Sequence, residues 1–244
     1  MVLKIETRAE VLKQYLDVIS ILQEETLLHF KPDGMECSVV DPSHVAMVHA
    51  ELRKEAFDKY ESSDITVGLD LGKLVDFMKI VKSTDQMEME MDEGENMLIL
   101  RAGTITRSMS LIDVTTLQET KLPQLTHIAR VSVKTSELDR GIKAAEKLTE
   151  QITLILNKDG FEMNGKSDRE KVNLKIPKDR LEEFDCNEDI KSTYSLEFLS
   201  RMIKVASASE MISMLLNKNY PLQMEFDIAG GSGRTVYLLA PRMD

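Results

Sequence analysis

The sequence predicts an α+β protein of two similar domains, each with antiparallel sheets and two helices. Three observations predict it. "KPDGMECSV" (31–39) and "NKDGFEMNG" (157–165) write one hairpin twice, each with Asp-Gly followed by an apolar-Glu-apolar triplet, at an offset of 126 residues from Asp33 to Asp159. Helix-period stripes and alternating strands flank both copies at nearly the same offset. Most strands adjoin through short turns, "PDG", "DEGEN", "KDG" and "GGSG", which join antiparallel neighbours and leave the helices on one face.

Residues 9–24, "AEVLKQYLDVISILQE", place Leu12, Tyr15, Leu16, Ile19 and Leu22 on one helical stripe. At an offset of 126, Leu12, Leu16, Ile19 and Leu22 fall on Leu138, Ile142, Ala145 and Leu148 of "SELDRGIKAAEKL", with Thr135 or Ser136 as its expected N-cap. The hairpin follows, then a predicted strand containing His44 and His49. "LDLGKLVDFMKIV" (69–81) and "YSLEFLSRMIKVA" (194–206) form the second helix of each half, with Leu71, Leu74 and Met78 on Leu196, Leu199 and Ile203. "MEMEM" (87–91) alternates with the period of a half-buried strand, and its methionines fall on Ile212, Met214 and Leu216. Leu98, Leu100 and Ala102 then fall on Met224, Phe226 and Ile228. Between the halves, "IDVTTLQETKLPQLTH" (112–127) contains a proline and no clear period, the mark of an extended surface linker. The expected boundaries are a first domain over 1–112, a connecting loop over 113–127 and a second domain over 128–244.

Composition bounds the function. Hydrophobic residues make up 42% of the 244 and charged residues 30%, enough apolar material for a packed core. No apolar run approaches bilayer length, and "MVLKIETRAE" has no apolar signal region, so neither a membrane span nor secretion is expected. Cys37, in an apparent strand, and Cys186, in an apparent loop, read as two free thiols of a reducing compartment. The net charge of −11 taken alone argues against a nucleic-acid partner. Chemistry is scarce: there is no P-loop, GxGxxG, HExxH or GxSxG. His29, His44, His49 and His127 are poorly spaced for a shared metal, and "GGSGR" (230–234) lies between strands as a turn. No catalytic residue, metal or cofactor is expected.

The stretch "VVDPSHVAMVHAELRKEAFDKY" (39–60) resembles the most recognisable segment of sliding DNA clamps of the proliferating cell nuclear antigen type. "YLLAPRMD" (237–244) resembles that family's closing strand, and Leu122-Pro123 sits where its interdomain connector has an apolar residue and a proline. The resemblance covers the chain end to end. The sequence stops just after the closing strand without the acidic tail of many eukaryotic members, the look of an archaeal clamp. The resemblance implies the DNA clamp (processivity) fold: a ring-forming, non-catalytic homotrimer that encircles duplex DNA without regard to sequence. It implies DNA polymerase, clamp loader, flap endonuclease and DNA ligase as partners in replication and repair, docking through a short glutamine/aliphatic/aromatic motif. It also implies loading by an ATP-dependent clamp loader, and a cytoplasmic, nucleoid-associated location, or a nuclear one in a eukaryote.

Residue by residue, the resemblance puts Lys13, Lys79, Lys82, Arg140, Lys143, Lys147 and Lys204 on positions lining the hole. The residues themselves show only a mild basic excess on the helices, with Arg140, Lys143 and Lys147 at spacing that shares one helical face. Gln14 and Ser20 stand where relatives often carry lysine. The partner-peptide pocket maps to Val40, Val45, Met47, Leu122, Pro123, Pro221, Leu238, Ala240 and Pro241, with Leu238 where relatives often have tyrosine. Ring closure maps to "TRSMSLI" (106–112) and "KVNLKIP" (171–177), through Arg107, Met109 and Leu111 on one edge and Val172, Leu174 and Ile176 on the other. The competing readings are one subunit of a heteromeric or checkpoint-type clamp, an α+β enzyme with an unrecognised site, and an assembly protein without DNA.

Overall fold

A computed structural model describes residues 2–243. Among the described residues each half of the chain runs through the same eleven elements. The first half comprises β1 (Leu3–Arg8), α1 (Ala9–Ile19), β2 (Glu25–Lys31), β3 (Gly34–Val40), β4 (Ala46–Arg53), β5 (Lys59–Ser62), β6 (Ile65–Asp70), α2 (Leu71–Ile80), β7 (Gln86–Asp92), β8 (Met97–Ala102) and β9 (Ile105–Ser110). The second comprises β10 (Ala129–Lys134), α3 (Thr135–Ala145), β11 (Gln151–Asn157), β12 (Gly160–Lys166), β13 (Lys171–Pro177), β14 (Glu183–Cys186), β15 (Ile190–Ser195), α4 (Leu196–Ala206), β16 (Met211–Leu216), β17 (Leu222–Ile228) and β18 (Gly233–Leu239). Residues 117–127 form no regular element.

The chain divides into two compact units, Met1–Pro42 with Val48–Leu122 and Asp227–Thr235, and Ser43–Met47 with Pro123–Phe226 and Val236–Asp244. In the first, strands order as β5-β1-β7-β8-β9 and as β6-β2-β3-β4; in the second, as β14-β10-β16-β17-β18 and as β13-β12-β11-β15. All registered ladders are antiparallel. Helices α1 and α2 pack on each other in the first unit, α3 and α4 in the second. Their apolar stripes bury Leu12, Tyr15, Leu16 and Ile19 in one case and Leu138, Ile142, Leu199 and Ile203 in the other.

The duplication extends to single hydrogen bonds. Gly34 opens β3 at φ 152° and Gly160 opens β12 at φ 140°, backbone conformations that L-residues with a Cβ avoid. The chain also crowds both: a Cβ on Gly34 would sit 2.1 Å from Leu52 O and one on Gly160 2.3 Å from Ile176 O. Lys54 N–H donates to Asp33 O at 2.8 Å, and Lys178 N–H donates to Asp159 O at 3.0 Å. The helix starts repeat too: Ala9 N–H donates to Asp85 O and Thr135 N–H to Glu210 O, while Leu71 N–H donates to Glu24 O and Leu196 N–H to Glu150 O. These bonds satisfy donors that every helix leaves orphaned at its first turn.

Several local expectations are corrected. The first helix ends at Ile19, so Leu22 is buried beyond it. Thr135 is the first residue of α3, not its cap; the cap position is Lys134, with no side-chain bond, and Thr135 Oγ1 is buried unpaired. Among the described residues, only α2 of the four long helices has a side-chain N-cap of the expected kind, Asp70 accepting from Lys73 N–H at 2.9 Å. His44 lies in the turn before β4 with φ 55°, not in a strand with His49. Cys186 ends β14 and is not in a loop. Among the described residues no helix is long and apolar enough to cross a membrane, and no group of three or more His, Cys, Asp or Glu is arranged to hold a metal.

Candidate nucleic-acid interface and partner pocket

The helical cations differ in how free they are. Lys79 pairs with Asp76 at 2.8 Å, Lys143 with Asp139 at 2.6 Å and Arg140 with Glu137 at 3.8 Å, all at i,i+3 or i,i+4 on their own helix. The three cationic side chains remain 67–78% exposed, and exposed pairs of this kind contribute little to stability. The Lys79 ammonium bonded to Asp76 holds that carboxyl below its usual range.

Lys82 and Lys147 fall past the ends of α2 and α3, in the turns that follow. The shared helical face expected for Arg140, Lys143 and Lys147 is therefore limited to the first two. Lys82 N–H donates to Asp85 at 3.0 Å, which pins that turn. Lys147 and Lys204 are exposed and form no ion pair among the described residues. Lys13 is half-buried, and its ammonium donates to Val81 O at 2.5 Å. Gln14, where relatives often have lysine, is also structural: its Oε1 accepts from Ala229 N–H at 2.8 Å, holding a residue at φ 51°. Two polar side chains of the first helix, Lys13 and Gln14, are thus spent within its own unit.

Seven pocket residues lie in the second unit: Val45, Met47, Pro123, Pro221, Leu238, Ala240 and Pro241. Within it, Ala240 N–H donates to Val45 O at 2.8 Å, which brings the end of the closing strand against the start of β4. Met47 and Leu238 are buried, whereas Pro123 is exposed. Val40 and Leu122 belong to the first unit. There Val40 O accepts from Gln23 Nε2 at 2.7 Å, beside a small cavity of about 60 Å³ that Leu117, Gln118 and Thr120 of the connector also line. Leu122 exposes 38% of its surface.

Strands β9 and β13 are sheet edges. Register puts Arg107 and Met109 opposite Leu100 and Leu98, and Val172, Leu174 and Ile176 opposite Gly165, Met163 and Phe161. These are the apolar faces, and Met109 and Ile176 are already buried in their own units while Val172 and Leu174 are half-exposed. Helix α3 lies close on this edge because Gly141 has no Cβ; one would sit 2.2 Å from Met163 and 3.1 Å from Leu174. Leu111 lies beyond β9, and its N–H is committed to Asn96 O at 3.0 Å.

Two repeats of one antiparallel α+β unit, each with a helix pair and an open strand edge, define a clamp-type fold. Residues 2–115 match the family model for the N-terminal domain of proliferating cell nuclear antigen, and residues 121–242 match that for its C-terminal domain. The chain belongs to this family: it is a DNA sliding clamp, a non-catalytic protein. It is 34% identical over 242 residues to the DNA polymerase sliding clamp of Methanosarcina mazei, covering 99% of this chain and 98% of that one. It is 33% identical over 237 residues to that of Thermoplasma acidophilum, covering 96% of each. The structure of Archaeoglobus fulgidus PCNA bound to the C-terminal region of FEN-1 superposes with a TM-score of 0.93 at 28% identity, covering 99% of both chains.

Proposed function

We propose that three copies of this chain close head to tail around duplex DNA and tether replication and repair enzymes to it. The observation that carries this is a mismatch in the duplication. Bonds at the ends of β4 and β18 are made inside each unit: Arg53 N–H donates to Ser232 O in the first, and Ala240 N–H to Val45 O in the second. Their repeat counterparts, β13 and β9, end their sheets and make no such bonds among the described residues. Two open edges whose repeat counterparts are bonded favour β9 of one copy joining β13 of the next, through Arg107, Met109, Val172, Leu174 and Ile176. Edges left unpaired invite association, and head-to-tail contacts make rings when the rotation closes.

In this reading domains 1–112 and 128–244 flank a connector at 113–127. Lys79, Lys82, Arg140, Lys143, Lys147 and Lys204 face the duplex, with Lys13 reduced to a structural part. Contact to phosphate alone fixes no sequence, so the ring slides, and retention comes from topology. The net charge of −11 then sits on surfaces that repel DNA. DNA polymerase, clamp loader, flap endonuclease and DNA ligase dock by a glutamine/aliphatic/aromatic segment in the pocket from Val40 to Pro241, in the cytoplasm near the nucleoid. The test is solution mass by sedimentation together with retention on circular against linear DNA. A trimer retained by the circle and lost from the linear form supports the reading; a monomer with equal retention on both overturns it.

A further inference from the structure

We propose that the second unit carries a cationic cleft on its four-stranded sheet that takes an acidic peptide segment, rich in Asp and Glu, flanking the motif held in the neighbouring pocket. This rests on the pocket reading above. The cleft is open, about 1020 Å³, and lies over β11, β12 and β15. Lys166, Lys191, Lys218 and Arg242 line it against a single carboxylate, Asp189, in a chain whose net charge is −11. Its floor is hydrophilic: Thr153 and Thr193 share a hydroxyl bond at 3.0 Å. Cations over hydroxyls and amides are the chemistry of an anion site.

The pairing of the sheet argues that the charge excess is not structural. Along the β12–β13 ladder Glu162 faces Lys175, and the two form an ion pair at 2.9 Å. Further along the same face Lys166 stands opposite Lys171, two like charges, and neither forms an ion pair among the described residues. Like charges directly opposed on a sheet cost stability, a cost that an incoming carboxylate removes. Lys191 and Arg242 likewise have no ion-pair partner among the described residues, while Lys218 is held by Glu188 at 2.9 Å.

Two features select a peptide over a nucleic acid. The cleft continues from the pocket: Arg242 follows Pro241 directly, and its N–H donates to Thr193 O at 2.7 Å, which lays the closing segment along β15. A chain seated beside Ala240 and Pro241 therefore reaches the cations within a few residues. The cleft also carries Asp189, and Glu188 is bonded to its Lys218; these carboxylates repel a long polyanion charged at every step more than a short acidic segment.

The test uses synthetic peptides carrying the glutamine/aliphatic/aromatic motif, with Glu-Glu-Asp-Glu at its N-terminus, at its C-terminus, or replaced by Gly-Ser. Anisotropy is read against the native ring and a Lys166→Ser/Lys191→Ser variant, with ring assembly checked by sedimentation. An acidic extension at one terminus should tighten binding about fivefold at low salt. The gain should vanish in the variant and at high salt, while the Gly-Ser peptide binds both proteins equally. No gain at either terminus, or a gain that survives in the variant, overturns the proposal. Failure of the Gly-Ser peptide to bind is a failure of the pocket reading instead. The acidic tetrad alone, presented as an eight-residue repeat, then decides the cleft by the same dependence on Lys166 and Lys191. A single-stranded oligonucleotide that binds with that dependence where the acidic peptides do not would assign the cleft to nucleic acid and overturn the proposal.

Discussion

The Lys13 ammonium donates to Val81 O at 2.5 Å across 68 residues of sequence, tying the middle of α1 to the residue that ends α2. A cation bonded to a terminal helix carbonyl satisfies an orphan acceptor and complements the helix dipole. Lys13→Met should therefore cost about 1 kcal/mol in chemical denaturation and leave DNA retention within error of the parent. A loss of retention with unchanged stability would return Lys13 to the lining.

Lys82, Lys147 and Lys204 are the exposed members of the DNA-facing set whose ammonium no carboxylate holds among the described residues; of these, Lys147 and Lys204 lie in the second unit. Replacing both by Ala should weaken binding to duplex DNA equally for all sequences and flatten the dependence of log K on log salt by about 0.9 for each phosphate left without its cation. Lys79→Ala or Lys143→Ala should each do less, since the wild-type lysine must first leave Asp76 or Asp139. An unchanged salt slope in the double variant would remove these two residues from the interface.

Leu122→Glu tests the pocket without disturbing the core, because Leu122 is 38% exposed on the connector. The charge should weaken binding of a motif peptide at least tenfold, with ring mass and melting temperature unchanged. Equal affinity in the variant would take the connector out of the pocket.

Gly160→Ala places a methyl 2.3 Å from Ile176 O at φ 140°, and Gly34→Ala does the same 2.1 Å from Leu52 O. Each should destabilise its unit by roughly 2 kcal/mol or more. The Gly160 variant should also weaken ring assembly, because the shifted carbonyl belongs to edge strand β13. Gly103 is the control: it has φ 57° and open space around it, so Gly103→Asn should be nearly neutral.

Burial pushes the Cys37 thiol from its ordinary value of 9.0 up to about 12, despite an opposing bond from Thr26, and burial also raises Tyr194 to about 12. For an acid whose folded value is raised, the unfolded chain loses its proton first. The stability these groups contribute is intact below pH 9 and is lost as pH rises toward 12. Denaturation midpoints should accordingly fall between pH 9 and 11, less steeply in Cys37→Ala. The same burial makes Cys186, half-exposed, the thiol that alkylates in the folded protein. Faster labelling of Cys37 would contradict this.

Much of the fold is legible because its signals are local. The Asp-Gly turns, the alternation of Met87, Met89 and Met91, and the stripes through Leu12 and Leu138 each report a dihedral preference or a burial period within a few residues, and two copies of each make the duplication plain. The site is less legible, because a charge reveals its role only through its neighbours. Nothing within a few positions of Lys13 says that its ammonium belongs to Val81, or that Gln14 holds Ala229.

By itself, then, the amino-acid order determined the element types, their sequence, their repetition and, through its resemblance, the family. The tertiary structure decided where the helices stop, leaving Lys82 and Lys147 in turns. It decided which cations are spent internally and which edges stay open, and it set Lys166 against Lys171 rather than against a carboxylate. The physical reason is range: helices and hairpins are chosen by interactions among near neighbours, whereas end points, register and charge partners follow from packing summed over segments far apart in the chain.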